Sequence, residues 1–210
     1  MKEFHRLLEI ADRLLGPSGC PWDREQTIFT LQPYLLEETH ELIEAIDSLD
    51  SQKMIEELGD VLYTLVFIAK LAETEGRFTL SDAIHAVGDK LIRRHPHVFG
   101  EEKASSSEEV VKRWEEIKKQ EKASEGRKKI FDGIPSTLPA LARAQKMARK
   151  LHRQRGASKE AASSFQSEEE WGTRIWELIC EAEGHGIDAE SALRRKLQRL
   201  EKEIIKPLGE

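Results

Sequence analysis

Val61 to Ala69 is apolar almost all the way round a helix, interrupted only by Tyr63 and Thr64 and followed by Lys70. A segment of this kind has no hydrated face to offer, so burial on most sides is expected. Nowhere in the 210 residues do apolar and polar side chains alternate with a sustained period of two, whereas the i, i+3, i+4 spacing of amphipathic helices recurs throughout. Only 13 glycines and 7 prolines punctuate the chain, which again favours helices over many short strands. The expected fold class is all-α, a helical bundle.

Breaker and capping residues divide the pattern. A first helix carries Phe4, Leu7, Leu8, Ala11, Leu14 and Leu15 and stops at Gly16-Pro17. Gly19 to Asp23 reads as a loop. A second helix is expected over 27–49, with Pro33 forcing a kink or a later start. A turn at 48–51 separates it from a third over 52–75, which ends at Gly76. Thr79 or Ser81 can cap a fourth, ending near Arg94 before Pro96. Ser105 to Ser107 followed by Glu108-Glu109 marks the start of a fifth, to about residue 122. Further helices are expected over 138–152, 167–184 and 188–205, with a polar loop at 153–166. The organisation read from this is a bundle in 1–122, a linker at 123–133 and a smaller helical region in 134–210.

The net charge of −6 is distributed unevenly. Between Glu37 and Asp60 there are nine acids and one base, Lys53, a local −8, so the rest of the chain is close to neutral. No apolar run approaches the roughly 20 residues of a membrane span, and the N-terminus lacks an apolar signal core. Two distant cysteines, Cys20 and Cys180, exclude a disulfide framework and fit a reducing cytoplasm. The acidic total argues against a nucleic-acid binder.

On the second helix, Leu35, Leu36, Leu42, Ile43, Ile46 and Leu49 form the apolar face, with Glu38 at its border. Glu41 is about 60° round from Glu38, one turn on, so their carboxylates can converge. Glu57 and Asp60 repeat the relation on the third helix, in a sector later occupied by Ile68 and Leu71. The short turn makes the two helices antiparallel neighbours, and the two pairs then face each other. Four carboxylates at one place repel unless a cation holds them, and an all-oxygen donor set suits Mg²⁺ or Mn²⁺. The competing reading is a solvated acidic face answered by Lys and Arg from other helices.

Glu37-Glu38-Thr39-His40-Glu41 followed by Glu57-Leu58-Gly59-Asp60 resembles the EExxE…ExxD motif of the MazG family of nucleoside triphosphate pyrophosphohydrolases. The resemblance extends to Gly19-Cys20-Pro21-Trp22-Asp23-Arg24-Glu25-Gln26-Thr27, to Lys90 through Phe99, and to Trp114-Glu115-Glu116-Ile117-Lys118, covering about residues 3–122 in order. It implies an all-α bundle that usually forms a homodimer, and Mg²⁺-dependent cleavage of a nucleoside triphosphate to the monophosphate and pyrophosphate, a nucleotide-pool house-cleaning activity. Carried over by position, Glu38, Glu41, Glu57 and Asp60 are the metal ligands, with Glu37 an extra acid that orients water or a second metal. Bound Mg²⁺ would invert the local field, bridge phosphate oxygens and acidify the attacking water.

Lys90, Arg93 and Arg94 place cations about one turn apart, suited to phosphate oxygens, or else they complement the helix C-terminus. Trp114 and Lys118, at i and i+4, could present a stacking ring with a cation beside it, or Trp114 could be core. Trp22 reads as a lid or dimer contact. His95 and His97 read as structural. The region from Ile134 to Lys146 resembles the start of a second copy of the domain. Glu168 to Thr173 resembles its ExxD segment with Thr173 in place of the acid, and 156–167 is too short for an EExxE helix. The second copy therefore lacks half of its ligands, and hydrolysis is expected from 1–122. The alternative to an enzyme is a nucleotide-binding regulatory protein with feeble catalysis.

Overall fold

The computed structural model describes residues 2–124, 130–154 and 167–205. They form α1 (Lys2–Leu15), α2 (Pro21–Glu25), α3 (Gln32–Asp47), α4 (Ser51–Thr74), α5 (Leu80–Arg94), α6 (Pro96–Phe99), α7 (Ser107–Ser124), α8 (Ala140–Gln154), α9 (Glu168–Gly184) and α10 (Ala189–Ile205), with no strand among them. The protein is all-α. It divides into two compact units, Met1–Trp114 and Glu115–Glu210, the division falling within α7. No helix among the described residues is long and apolar enough to cross a membrane. Residues 125–129 of the expected linker and 155–166 of the expected polar loop lie outside the described residues.

In the first unit α4 is central and packs against α1, α3 and α5. Small side chains at the contacts let backbones approach: Ala11, Ala45, Ala69 and Ala72 are all buried, together with Val66 and Phe67. Lys70 fastens α4 to α1, its ammonium 2.6 Å from Asp12, and that contact first, then the Asp12 and Glu73 charges, raise its pKa against the opposing effect of burial. Thr79 starts α5 with a capping box: its hydroxyl accepts from the Asp82 N–H at 3.2 Å while the Asp82 carboxylate accepts from the Thr79 N–H at 2.8 Å. Donation to its carboxylate from the Thr79 N–H first and then from the Thr79 hydroxyl holds the Asp82 pKa below the ordinary value.

The hairpin of α3 and α4 is the part that positions the site. Pro33 sits in the first turn of α3, where a fixed φ and a missing N–H cost nothing. The later start at Gln32 is thus realised, and no kink is needed. At the other end the Asp50 N–H reaches back to the Ala45 carbonyl at 3.2 Å and that of Leu49 to Ile46 at 3.1 Å, with Leu49 in the left-handed region at φ 55°. Asp50 then caps α4, accepting from the N–H groups of Gln52 and Lys53 at 3.0 and 3.1 Å.

Two expectations change. Gly19 to Asp23 is not all loop: Pro21 opens a short helix there, as Pro96 does after Arg94, because proline at the first position is pre-set for a helical turn. The wrapping of the Val61–Ala69 segment is also incomplete within one chain. Leu62 and Leu65 remain exposed, in line with Ile55 and Leu58 at the same 3-4-3 spacing, and Leu36, Ile43 and Ile46 of α3 are exposed as well.

In the second unit Phe131, Ala140, Met147 and Leu197 form the core between α8 and α10. Arg143, buried there, is 2.6 Å from Glu201. The Lys150 ammonium donates to the carbonyls of Ile130 and Asp132 at 3.2 and 2.6 Å.

A leucine in the left-handed region is strained, and Leu49 is 82% exposed, so its side chain contributes little to offset that strain. Leu49→Gly is expected to stabilise the protein by roughly 0.5–1 kcal/mol, the left-handed penalty of an L-residue less the entropy cost of glycine. Thermal unfolding checks this through a raised Tm.

Candidate metal site

The turn at Leu49 sets the register of the acids. Glu41 and Glu57 lie eight residues to either side of it, and Glu38 and Asp60 eleven, so in an antiparallel hairpin each pair meets across the interface. Side-chain oxygens of Glu38, Glu41 and Glu57 lie within 4.8 Å of one another. Asp60 is outside that triplet but close enough to Glu38 to act on its ionisation. Glu57 keeps 9% of its surface; Glu38 is half-buried, while Glu37, Glu41 and Asp60 are exposed.

Crowding appears in the proton affinities. Burial raises the Glu38 pKa above its ordinary 4.5, and the charges of Asp60, Glu41 and Glu37 raise it further. Burial likewise raises Glu57, followed by the charge and hydrogen-bond contact of Glu41 and the charges of Glu56 and Asp60. Among the described residues no Lys, Arg or His forms an ion pair with Glu37, Glu38, Glu41, Glu57 or Asp60. Clustered carboxylates without a protein counter-charge, all of them hard oxygen donors, fit a divalent cation of the Mg²⁺ or Mn²⁺ type.

The basic residues fall elsewhere. Lys90 and Arg93 are exposed and Arg94 half-buried at the end of α5. The Arg94 guanidinium lies over the Trp114 ring, 5.8 Å from its centroid, a cation–π contact between the end of α5 and α7. Lys118 lies in the second unit, its ammonium 3.6 Å from Glu115. The His95 Nδ1 is 2.7 Å from the Leu91 carbonyl, and the His95 and His97 rings are 5.6 Å apart. In α9, Glu170 is engaged in the capping box with Ser167.

Tyr34, Asp23 and Tyr63, which the sequence reading did not assign to a site, belong to this neighbourhood together with Trp22. Tyr34 continues the Glu38 and Glu41 stripe one turn toward the start of α3, and Trp22 packs edge-to-face on it, 5.7 Å between centroids at 85°. Asp23 is buried, and Tyr63, one turn past Asp60, has its phenol pKa raised by burial first and then by Asp23 and Cys20. The spacing of Tyr34 from Glu38 was available as a signal; the packing of α2 was not.

A family model described as the MazG nucleotide pyrophosphohydrolase domain matches residues 26–99. The chain is 49% identical over 151 residues to a nucleoside triphosphate pyrophosphohydrolase of Escherichia coli (strain K12), an alignment covering 71% of this chain and 57% of that protein. It is 38% identical over 213 residues to the nucleoside triphosphate pyrophosphohydrolase/pyrophosphatase MazG of Thermotoga maritima, covering 93% of this chain and 82% of that one. A nucleoside triphosphate pyrophosphohydrolase of Mycolicibacterium smegmatis is 43% identical over 135 residues, covering 63% of this chain and 41% of that protein. The chain thus spans little more than half the length of the E. coli relative.

Because Glu57 holds its proton more tightly when folded than when unfolded, its carboxyl favours the fold fully below its unfolded pKa. That contribution disappears as pH rises through the raised value. Glu57→Gln is therefore expected to raise the Tm of the metal-free protein at pH 7, with the gain vanishing below about pH 4, while abolishing any rise in Tm on adding Mg²⁺. Scanning calorimetry with EDTA or Mg²⁺ measures both; a lower metal-free Tm at pH 7 contradicts the repulsive cluster.

Proposed function

This chain belongs to the MazG family of nucleotide pyrophosphohydrolases, and we propose that it hydrolyses nucleoside triphosphates to nucleoside monophosphate and pyrophosphate. The observation that carries the reading is the triplet of Glu38, Glu41 and Glu57 oxygens within 4.8 Å of one another, lying on the family motif and without a basic partner among the described residues.

Glu38, Glu41, Glu57 and Asp60 would hold the divalent cation, Mg²⁺ or in its place Mn²⁺. When bound, that ion would supply the positive charge that offsets the carboxylates and would acidify the attacking water. Glu37, exposed beside the cluster, orients the water and accepts its proton. Water oxygen attacks a phosphorus of the triphosphate, the α position by our reading, and the bond to pyrophosphate breaks. Lys90, Arg93 and Arg94 draw the polyphosphate in and stabilise charge on the leaving group. Trp114 steadies Arg94 through its ring.

The open stripe of Ile55, Leu58, Leu62 and Leu65 has the spacing of a coiled-coil seam and supports a homodimer formed through α3 and α4. Residues 134–210 act as a degenerate second copy without hydrolytic activity of their own. The role is that of an intracellular nucleotide-pool cleaner.

Glu38→Gln and Asp60→Asn should each lower turnover by at least about 100-fold, the upper end of what losing a mere supporting contact to a metal ligand costs. Chromatographic detection of monophosphate and pyrophosphate with Mg²⁺ measures this. Undiminished turnover in both variants overturns the site, and tight binding without turnover in the wild type favours a regulatory protein. A fragment of residues 1–122 is expected to retain Mg²⁺-dependent hydrolysis, and its loss in a folded fragment assigns the second region a catalytic share.

A further inference from the structure

We infer that α2 walls one end of the acidic cluster and that Trp22 and Tyr34 form the contact for the base of the nucleotide. This rests on the nucleotide-hydrolysing reading above. Tyr34, Glu38 and Glu41 stand at i, i+4 and i+7 on α3, one face of the helix, and a four-residue step advances about 6 Å. An aromatic ring thus stands one turn from the nearest metal-holding carboxylate, a separation comparable to that between a nucleoside and its outer phosphates. Trp22 and Tyr34 are 49% and 39% exposed, although they touch each other edge-to-face. Two large rings left open beside a charged cluster offer a π face that a flat base can cover.

Trp22 is held in place by its surroundings. Cys20 donates its N–H to the Leu14 carbonyl at 2.9 Å, the Arg24 guanidinium donates to the Pro17 carbonyl at 3.0 Å, and the Gln26 amide donates to the carbonyl of Trp22 itself at 2.9 Å. The chain turns so tightly into α2 that a Cβ on Gly19 would stand 2.0 Å from the Leu14 oxygen. On its other side α2 buries Asp23, whose charge reaches the Tyr63 phenol on α4. The short helix therefore meets α3 through Trp22 and approaches α4 through Asp23, at the same end of the cluster. Stacking of this kind tolerates any base, so the expected substrate class is nucleoside triphosphates at large, distinguished from polyphosphate without a base.

The test is titration calorimetry on the full chain with Mg²⁺, using a non-hydrolysable nucleoside triphosphate analogue and inorganic tripolyphosphate. Trp22→Ala is expected to weaken the nucleotide by about 5- to 160-fold, the worth of one stacked base, and to leave tripolyphosphate within about 2-fold. Trp22→Phe should restore most of the loss, which separates the role of the ring from a folding defect. Equal weakening of both ligands, or no weakening of the nucleotide, overturns the base contact while leaving the metal site standing. Failure of both ligands to bind the wild type in Mg²⁺ overturns the nucleotide reading itself, and this inference with it.

Discussion

Like-charge repulsion across the α3–α4 hairpin is the constraint on which the first unit turns. Glu41 meets Glu57 and Glu38 meets Asp60, without an ion-pairing base among the described residues. Burial of Glu57 and half-burial of Glu38 make the repulsion worse. A fold that kept such a hairpin for stability alone would place basic side chains opposite it. Here Lys90, Arg93 and Arg94 gather at the end of α5, where Arg94 rests on Trp114. The separation of sign suits a polyphosphate, whose own charge is opposed by the carboxylates until a divalent ion intervenes and attracted by the basic edge throughout.

The hairpin holds this arrangement through short-range devices. Leu49 accepts a left-handed conformation so that Asp50 can close α3 and cap α4 in the same turn. That turn fixes how far each acid stands from the bend, and hence which acid meets which. Ala45, Ala69 and Ala72 are buried in the same unit, and small residues of this kind allow close helix approach. The stability of the hairpin then depends on α1 and α5 against α4, with Lys70 and Asp12 fastening one side. The outer apolar stripe of Ile55, Leu58, Leu62 and Leu65 stays exposed.

Much of this was readable before any coordinates. Capping residues and prolines gave the limits of α3, α4 and α5 to within a few residues, and the two carboxylate pairs followed from helical angles alone. Short helices were missed where proline served as a starter: Pro21 and Pro96 read as breaks, yet each occupies a first turn. Tyr34 was in line with Glu38 all along, but an aromatic at that spacing is equally a core residue until its exposure is known. The expectation that the apolar α4 segment would be wrapped failed at Leu62 and Leu65, because periodicity reports which faces are apolar and not how many neighbours one chain can supply.

By itself the sequence determined the helical class, the antiparallel pairing of two acid-bearing helices and the residue types gathered between them, because these depend on periodicity, turn chemistry and spacing within about thirty residues of chain. Tertiary structure decided what depends on contacts between segments. It buried Glu57 while leaving Asp60 exposed, drew three of the four carboxylates into one triplet, laid Arg94 on Trp114 and set Trp22 against Tyr34. Each of these is a matter of which side chain another helix happens to cover, and local periodicity carries no information about the covering partner.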